Sequence, residues 1–325
     1  MVGLKLLLVR EGAFNVLSPP SMDEALKLLP SAERVWLDLT FDEASAKLEA
    51  LAKVGPPPHL ISKALDGRGP SYTYSDGWCL LKLPVATEAR VALQRGLSLI
   101  FNDRVLLSIH PRDVHSSEEE MDTATRQVRY NMAYAVYQVA DRLLDDFDDL
   151  IGRLDAELSK LEDEIVESQG REEALRKVLA RKRRLLLINK GLWQLKDTIH
   201  TLRRAEPHFM DKELDEKFNR LSEEVERQID LIEMYRVMVS DIINIYATTL
   251  SNRLNVTVKE LTVAMLYLTV IATVIGFPNT VATIFGVPTL AEAIEAHWIL
   301  ILLVGSAILP IFWLKSFLAS YRRET

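Results

Sequence analysis

The side chains with chemistry to offer fall in three parts of the chain. Glu292 and Glu295 lie in segment 286–296, which holds no Lys or Arg, and carboxylates without basic partners concentrate cations around them. Just before that segment, Thr262, Thr269, Thr273, Asn279, Thr280 and Thr283 interrupt an aliphatic run. Thr262, Met265, Ala272, Gly276, Asn279 and Gly286 recur at steps of three, four and seven, which sets them on one helical face, with Leu268 and Thr269 beside it. Polar groups in so apolar a run face a bundle interior or a water-filled path. A threonine has a second option, a hydroxyl bond back to its own helix. A single helix encloses nothing, so a path along this face needs several copies around an axis. The third place is His110 and His115 flanking Asp113 beside a proline, which reads as a surface turn. Residues 1–110 show no GxGxxG, no phosphate-binding loop and no nucleophile paired with a base, so the reading is of a protein that is not an enzyme.

These residues must be positioned by elements that the composition already constrains. The chain has 325 residues, 48% hydrophobic and 26% charged, with net charge −7. Such a balance argues against a nucleic-acid partner, which calls for a basic excess. One cysteine, Cys79, excludes an intramolecular disulfide framework and a Cys-rich zinc site. The first ten residues lack the pattern of a signal peptide. Residues 264–285 carry no charge and are long enough to cross ~30 Å of hydrocarbon as a helix. Residues 297–318 form a second candidate span, with Lys315 placed to snorkel. The loop between them has no basic residue, whereas Lys315, Arg322 and Arg323 follow the second span. Counting Lys and Arg puts both termini in the cytoplasm.

The preceding residues divide by pattern. Apolar runs at 4–9, 35–39, 78–83, 97–101 and 105–109 read as strands, and 41–53 and 59–65 as helices around the Gly55-Pro56-Pro57-Pro58 break. Residues 134–167 form a helix with an acidic stripe, and 172–202 a basic antiparallel partner, a salt-bridged pair. No Asp-x-Asp-x-Asp-Gly loop occurs in the stripe, which excludes an EF-hand. From Asp211 no breaker interrupts the helix before the membrane. Leu214, Phe218, Leu221, Val225, Ile232, Tyr235, Val239, Ile242 and Tyr246 hold a three-four step, with Gln228 in the gap. Such a seam calls for partner helices. A continuous helix over 211–285 would span roughly 110 Å. The expected organisation is an α+β cytoplasmic domain at 1–120, antiparallel helices at 121–205, a stalk helix at 206–263, a first span at 264–285, an external loop at 286–296, a second transmembrane helix at 297–318 and a tail at 319–325.

An α/β cap, a stalk helix continuing into a span, a short acidic loop and a final apolar span resemble the CorA-type divalent-cation channel family over nearly the whole chain. Val35-Trp36-Leu37-Asp38-Leu39 is similar to the family's strand after its first helix, and 97–110 to its paired strands closing the cap. Residues 246–255, Tyr-Ala-Thr-Thr-Leu-Ser-Asn-Arg-Leu-Asn, resemble the family's membrane-proximal Y-x-S-x-x-S-N-x-x-N. Leu268-Thr-Val-Ile-Ala-Thr273 and Ala282-Thr-Ile-Phe-Gly286 are similar to its pore helix. The resemblance implies a funnel-shaped homopentamer in the inner (plasma) membrane, in contact with lipid. In it Thr262, Met265, Leu268, Thr269, Ala272, Gly276, Asn279 and Gly286 line the pore, with constrictions at Met265 and Leu268. It implies a transported divalent cation, Mg2+ or Zn2+, Co2+ or Ni2+, and no covalently bound cofactor. A non-conducting membrane scaffold or sensor is the alternative. Three departures stand out. The family's outer mouth reads Tyr-Gly-Met-Asn, and here it reads Phe285-Gly286-Val287-Pro288, followed by Glu292 and Glu295. Asn255 to Leu268 is seven residues longer than the family spacing. Arg220 stands where family members place a metal-binding Asp, with Glu223 one turn on as the candidate metal ligand.

Overall fold

The computed structural model describes residues 4–10, 13–18, 21–87, 90–114, 131–167, 171–205, 207–287 and 295–321. The chain separates into two compact units, Met1–Tyr246 and Ala247–Thr325.

The first unit is built on a seven-stranded sheet. Its strands are β1 (Lys5–Arg10), β2 (Ala13–Leu17), β3 (Arg34–Thr40), β4 (Ser71–Ser75), β5 (Trp78–Ala86), β6 (Val91–Phe101) and β7 (Val105–His110), in the order β2-β1-β3-β7-β6-β5-β4. The neighbours pair antiparallel except β3 and β7, which run parallel with Asp38 opposite Ser108 and Thr40 opposite His110. Alternate residues supply two cores. Leu6, Leu8, Leu37, Leu39, Leu80 and Leu107 lie in a core with the short helices α1 (Met22–Leu28), α2 (Phe41–Ala46), α3 (Leu48–Ala52) and α4 (Pro58–Leu65). Leu7, Val9, Trp36, Leu81, Leu99 and Phe101 join the other core, against the long helices. Burial on both faces explains why β5 and β7 read as largely apolar runs, interrupted only by Lys82 in β5 and by Ser108 and His110 in β7.

Local signals set the small helices. Ser21 accepts from the Glu24 amide to start α1, and Thr40 and Glu43 form a capping box at α2. The expected helix at 41–53 is two helices, because Lys47 (φ −127°, ψ 31°) leaves the helical region between α2 and α3. At Gly55 φ is +120°, a value that favours glycine, and Pro58 occupies the first turn of α4. Strands β2 and β4 and helix α1 have no counterpart in the sequence reading. Ser71–Ser75 is polar and has no fully buried residue, so no apolar run marks it.

Three long helices, α5 (Met132–Glu167), α6 (Glu172–Arg204) and the start of α7 (Lys212–Phe285), complete this unit. The acidic and basic runs meet as expected: Arg181 and Arg184 pair with Glu157, and Lys177 with Glu164. The seam of α7 finds its partners within the chain. Leu214, Phe218, Leu221, Val225, Ile232, Val239 and Ile242 are buried in one core with Phe147, Leu150 and Leu154 of α5 and Leu185, Ile188 and Leu192 of α6. Gln228 donates to the Leu144 carbonyl at 3.3 Å, and Arg203 and Lys196 of α6 pair with Asp215 and Glu226 of α7. The heptad pattern is satisfied in cis, so partner chains are not needed to cover it. Full burial of a Phe218-sized side chain stabilises by about 1.5–3 kcal/mol.

The second unit contains the rest of α7 and α8 (Ala296–Tyr321). α7 stays helical through Pro278 and ends at Phe285. Both helices are long and apolar enough to cross a bilayer, and their most hydrophobic windows are 6% and 0% buried. A hairpin buried inside a soluble protein would be mostly covered, so these helices are built for a membrane.

Candidate functional site

α7 has two distinct sides within the second unit. Leu266, Val270, Thr273 and Val281 face Leu302, Gly305, Ser306 and Leu309 of α8 across a groove of about 650 Å3. Gly305 borders open space in this groove, since a Cβ added there would meet nothing within 4 Å. At 100° per residue the face bearing Met265, Leu268, Ala272, Gly276 and Asn279 lies roughly 140° around the helix from the α8 side. Met265 is 58% exposed and Leu268 66%, and Thr262, Ala272, Gly276, Asn279 and Gly286 are exposed as well, whereas Thr269, also exposed, lines the groove toward α8. The second apolar helix therefore covers one side of α7 and leaves this face open.

The polar groups on α7 divide in two. The hydroxyls of Thr262, Thr269, Thr273, Thr280 and Thr283 donate to the carbonyls of Val258, Met265, Thr269, Gly276 and Asn279, four residues back, at 2.7–2.8 Å. Of the two options that the sequence left open for threonine, the intrahelical one is present throughout, and each hydroxyl oxygen keeps an accepting lone pair. Asn279 differs. Its side chain has no hydrogen-bond partner among the described residues. At the end of α7 the Gly286 amide bonds to the Ala282 carbonyl and the Val287 amide to Ile284. The last-turn carbonyls give this terminus a partial negative charge that favours cations. Phe285 is half-buried and Val287 exposed. Glu295 lies 3.3 Å from His297 Nδ1, whereas Pro288 and Glu292 lie outside the described residues.

A family model described as CorA-like Mg2+ transporter protein matches residues 31–316. The chain belongs to this family. A curated cobalt/magnesium transport protein CorA from Thermotoga maritima is 22% identical over 287 residues, covering 84% of this chain and 78% of its own. Among solved structures, the complete CorA magnesium transporter of Methanocaldococcus jannaschii superposes with a TM-score of 0.68 at 17% identity, covering 96% of this chain and 97% of its own. The full-length CmaX protein gives 0.65 at 19%, covering 98% and 97%. The fold is thus that of full-length CorA chains, an α+β domain with a long helix and a second apolar helix, and the family is one of membrane transporters rather than enzymes.

In this CorA-family chain Glu223 is exposed on α7 and accepts a hydrogen bond from Asn219 Nδ2 at 2.7 Å, with Arg220 exposed one turn before it. No group of three or more His, Cys, Asp or Glu among the described residues is placed to hold a metal ion, and Glu223 belongs to none. The expected surface turn is present at residues 111–114, where the Val114 amide bonds to the Pro111 carbonyl, but His110 is not part of it. Asp113 pairs with Arg90 at 2.9 Å and 3.0 Å, and His115 lies outside the described residues. His110 is buried at the end of β7, with Nε2 3.2 Å from Asp38 and Nδ1 2.8 Å from the Pro111 carbonyl. Ser108 donates to the other Asp38 oxygen, and Trp36 Nε1 donates to Ser108 at 2.8 Å. Burial alone would lower the His110 pKa; the Asp38 carboxylate outweighs it and holds the imidazole above its usual value. Asp38 and Ser108 interrupting apolar runs were the signal that sequence reasoning passed over.

Proposed function

We propose that this chain forms a divalent-cation channel or transporter of the plasma membrane, with several copies of α7 enclosing the path. Five copies is the number that the family resemblance implies. The observation that carries the reading is the open face of α7, with Met265 and Leu268 below and above them Asn279, which has no partner among the described residues, on the side away from α8. Apolar rings at Met265 and Leu268 would gate by dewetting. Asn279 would meet the ion through its water shell, since Mg2+ gives up water reluctantly. Gly286 and the last-turn carbonyls, with Glu292 and Glu295 beyond them, would attract cations to the mouth beside Phe285, Val287 and Pro288. Both termini then lie in the cytoplasm.

Mg2+ and Co2+ are the first ions to assay, because a curated relative is named for their transport; Ni2+ and Zn2+ complete the set. Purified protein in liposomes, tested ion by ion, is expected to carry Mg2+ or Co2+. Protein that is oligomeric yet carries none of the four would stand as a membrane scaffold or sensor instead.

A further inference from the structure

The groove between α7 and α8 has a lining that selects what can fill it. About 650 Å3 in size, it reaches from Leu266 to Val281 on α7 and from Leu302 to Trp313 on α8. That volume is in the range of ligand-binding clefts. Three hydroxyls line it, and none has a hydrogen left to donate. Thr269 donates to the Met265 carbonyl, Thr273 to that of Thr269 and Ser306 to that of Leu303, at 2.7–2.8 Å. A polar guest would lose more hydrogen bonds to water than these oxygens return, so the fitting guest is hydrocarbon. The open space beside Gly305 leaves room for it.

One charge stands on the groove side of α7. Lys259 is exposed and lies seven residues before Leu266 and fourteen before Thr273, so the three share one side of the helix. Arg253 and Glu260, the nearest other charges, lie about 140° and 120° around the helix from Leu266. Residues 264–285 carry no charge, and Lys259 precedes them by about 7 Å along the axis. The headgroup layer outside the ~30 Å of hydrocarbon is roughly 5–7 Å deep on each side. Lys259 thus stands at headgroup depth, in line with an apolar groove. From Leu266 to Phe277 the helix rises about 16 Å, close to the depth of one leaflet's hydrocarbon.

A helix from a further copy is the other apolar candidate. Copies inserted the same way run parallel, so that helix would bring a second Lys259 to the same depth, like charge against like. A phosphate there offsets the lysine instead. We propose that the groove is a lipid site, holding one acyl chain of an anionic membrane phospholipid whose headgroup meets Lys259. The acyl chain lies along Leu266, Thr273 and Phe277 and ties α8 to α7 within one leaflet. The site stands whether or not α7 lines a pore.

The full-length protein, reconstituted in vesicles of equal phosphatidylglycerol and phosphatidylcholine and then extracted in mild detergent, tests this through the phospholipid it retains. One phosphatidylglycerol per chain is expected, with severalfold less phosphatidylcholine. Gly305→Leu fills the open space and should lose most of the retained lipid. Val304→Phe, on the opposite side of α8, should keep it. Lys259→Gln should retain the two lipids without preference. Native protein that retains neither lipid, or Gly305→Leu that retains as much as native, overturns the lipid site. If retention is absent and Gly305→Leu dissociates the copies, the groove holds a helix of another chain. A preference unchanged by Lys259→Gln overturns the headgroup assignment. A second measurement needs no variant: phosphatidylglycerol carrying a diazirine in its acyl chain is photolysed with the native protein. Labels should concentrate on Thr273, Phe277 and Ser306 over Val304 and Ile311, which face away from the groove. Even labelling of both sets means bulk lipid contact only and overturns the site.

Discussion

Asn279 sits on a helical face of Met265, Leu268, Ala272 and Gly276, and its carboxamide meets no described partner. An unpaired amide at membrane depth costs free energy unless water or ions reach it. Asn279→Leu removes that need along with the polar ring. Flux is expected to fall at least tenfold while thermal stability and oligomeric state are kept; unchanged flux would remove Asn279 from the path. His110 offers a different test. The Pro111 carbonyl can only accept, so Nδ1 carries a proton, and Nε2 faces the Asp38 carboxylate. A second proton there completes a buried ion pair, reinforced by Glu43. Because the folded pKa is raised, this stabilisation is complete below the unfolded value near 6.5 and is lost as pH rises through the folded one. The melting temperature of the native protein should therefore fall between pH 6 and 9 more steeply than that of His110→Asn. Parallel slopes would count against the pairing. A pair 72 positions apart in sequence, joined by the parallel register of β3 and β7, is not readable from local pattern. Asp38 inside a Val-Trp-Leu-Asp-Leu run still marks a polar group that must find a partner.

At the scale of elements, periodicity was legible and the identity of the covering partner was not. The three-four seam from Leu214 to Tyr246 pointed to partner helices, but period alone does not say whether they belong to the same chain. α5 and α6 bury it in cis. The strands buried on both faces stood out as apolar runs, whereas β4 (Ser71–Ser75) did not, because sequence reading detects burial rather than hydrogen-bonded edges. The α5–α6 contact has its own test in Gly191. A Cβ there would lie 2.9 Å from the ring of Phe147, which is fully buried and cannot swing aside. Helix propensity favours Ala over Gly by about 1 kcal/mol, and overpacking costs typically 1–3 kcal/mol. Gly191→Ala should thus be neutral to destabilising by up to ~2 kcal/mol. In Phe147→Leu, where the ring is gone and only Val91 Cγ1 at 3.2 Å stays close, the same substitution should be less destabilising. Denaturant midpoints for the two single variants and the double variant decide this, and equal effects of Gly191→Ala in both backgrounds would refute the clash.

For the whole molecule the arrangement of charge matters more than its sum. The net charge of −7 describes one chain, but an assembly sets the same carboxylates around an axis. Glu292 and Glu295 would then recur with each copy at the outer mouth, above helix ends whose carbonyls already favour cations. Such a ring would raise the local cation concentration without selecting among divalent ions, because carboxylates that act through their field hold ions through water. Its field is screened within ~8–10 Å at physiological ionic strength and reaches about 30 Å at 0.01 M. Replacing both residues with Gln should therefore slow uptake severalfold at low salt and little at high salt, with the preference among Mg2+, Co2+, Ni2+ and Zn2+ unchanged. The carbonyls at the end of α7 survive the substitution, so a residual salt-dependent attraction should remain. Liposome flux measured across ionic strengths, for the native protein and the double variant, reads both effects. Identical uptake at low salt would mean that the loop carboxylates do not face the entrance. A changed ion preference would instead place Glu292 or Glu295 in direct contact with the ion.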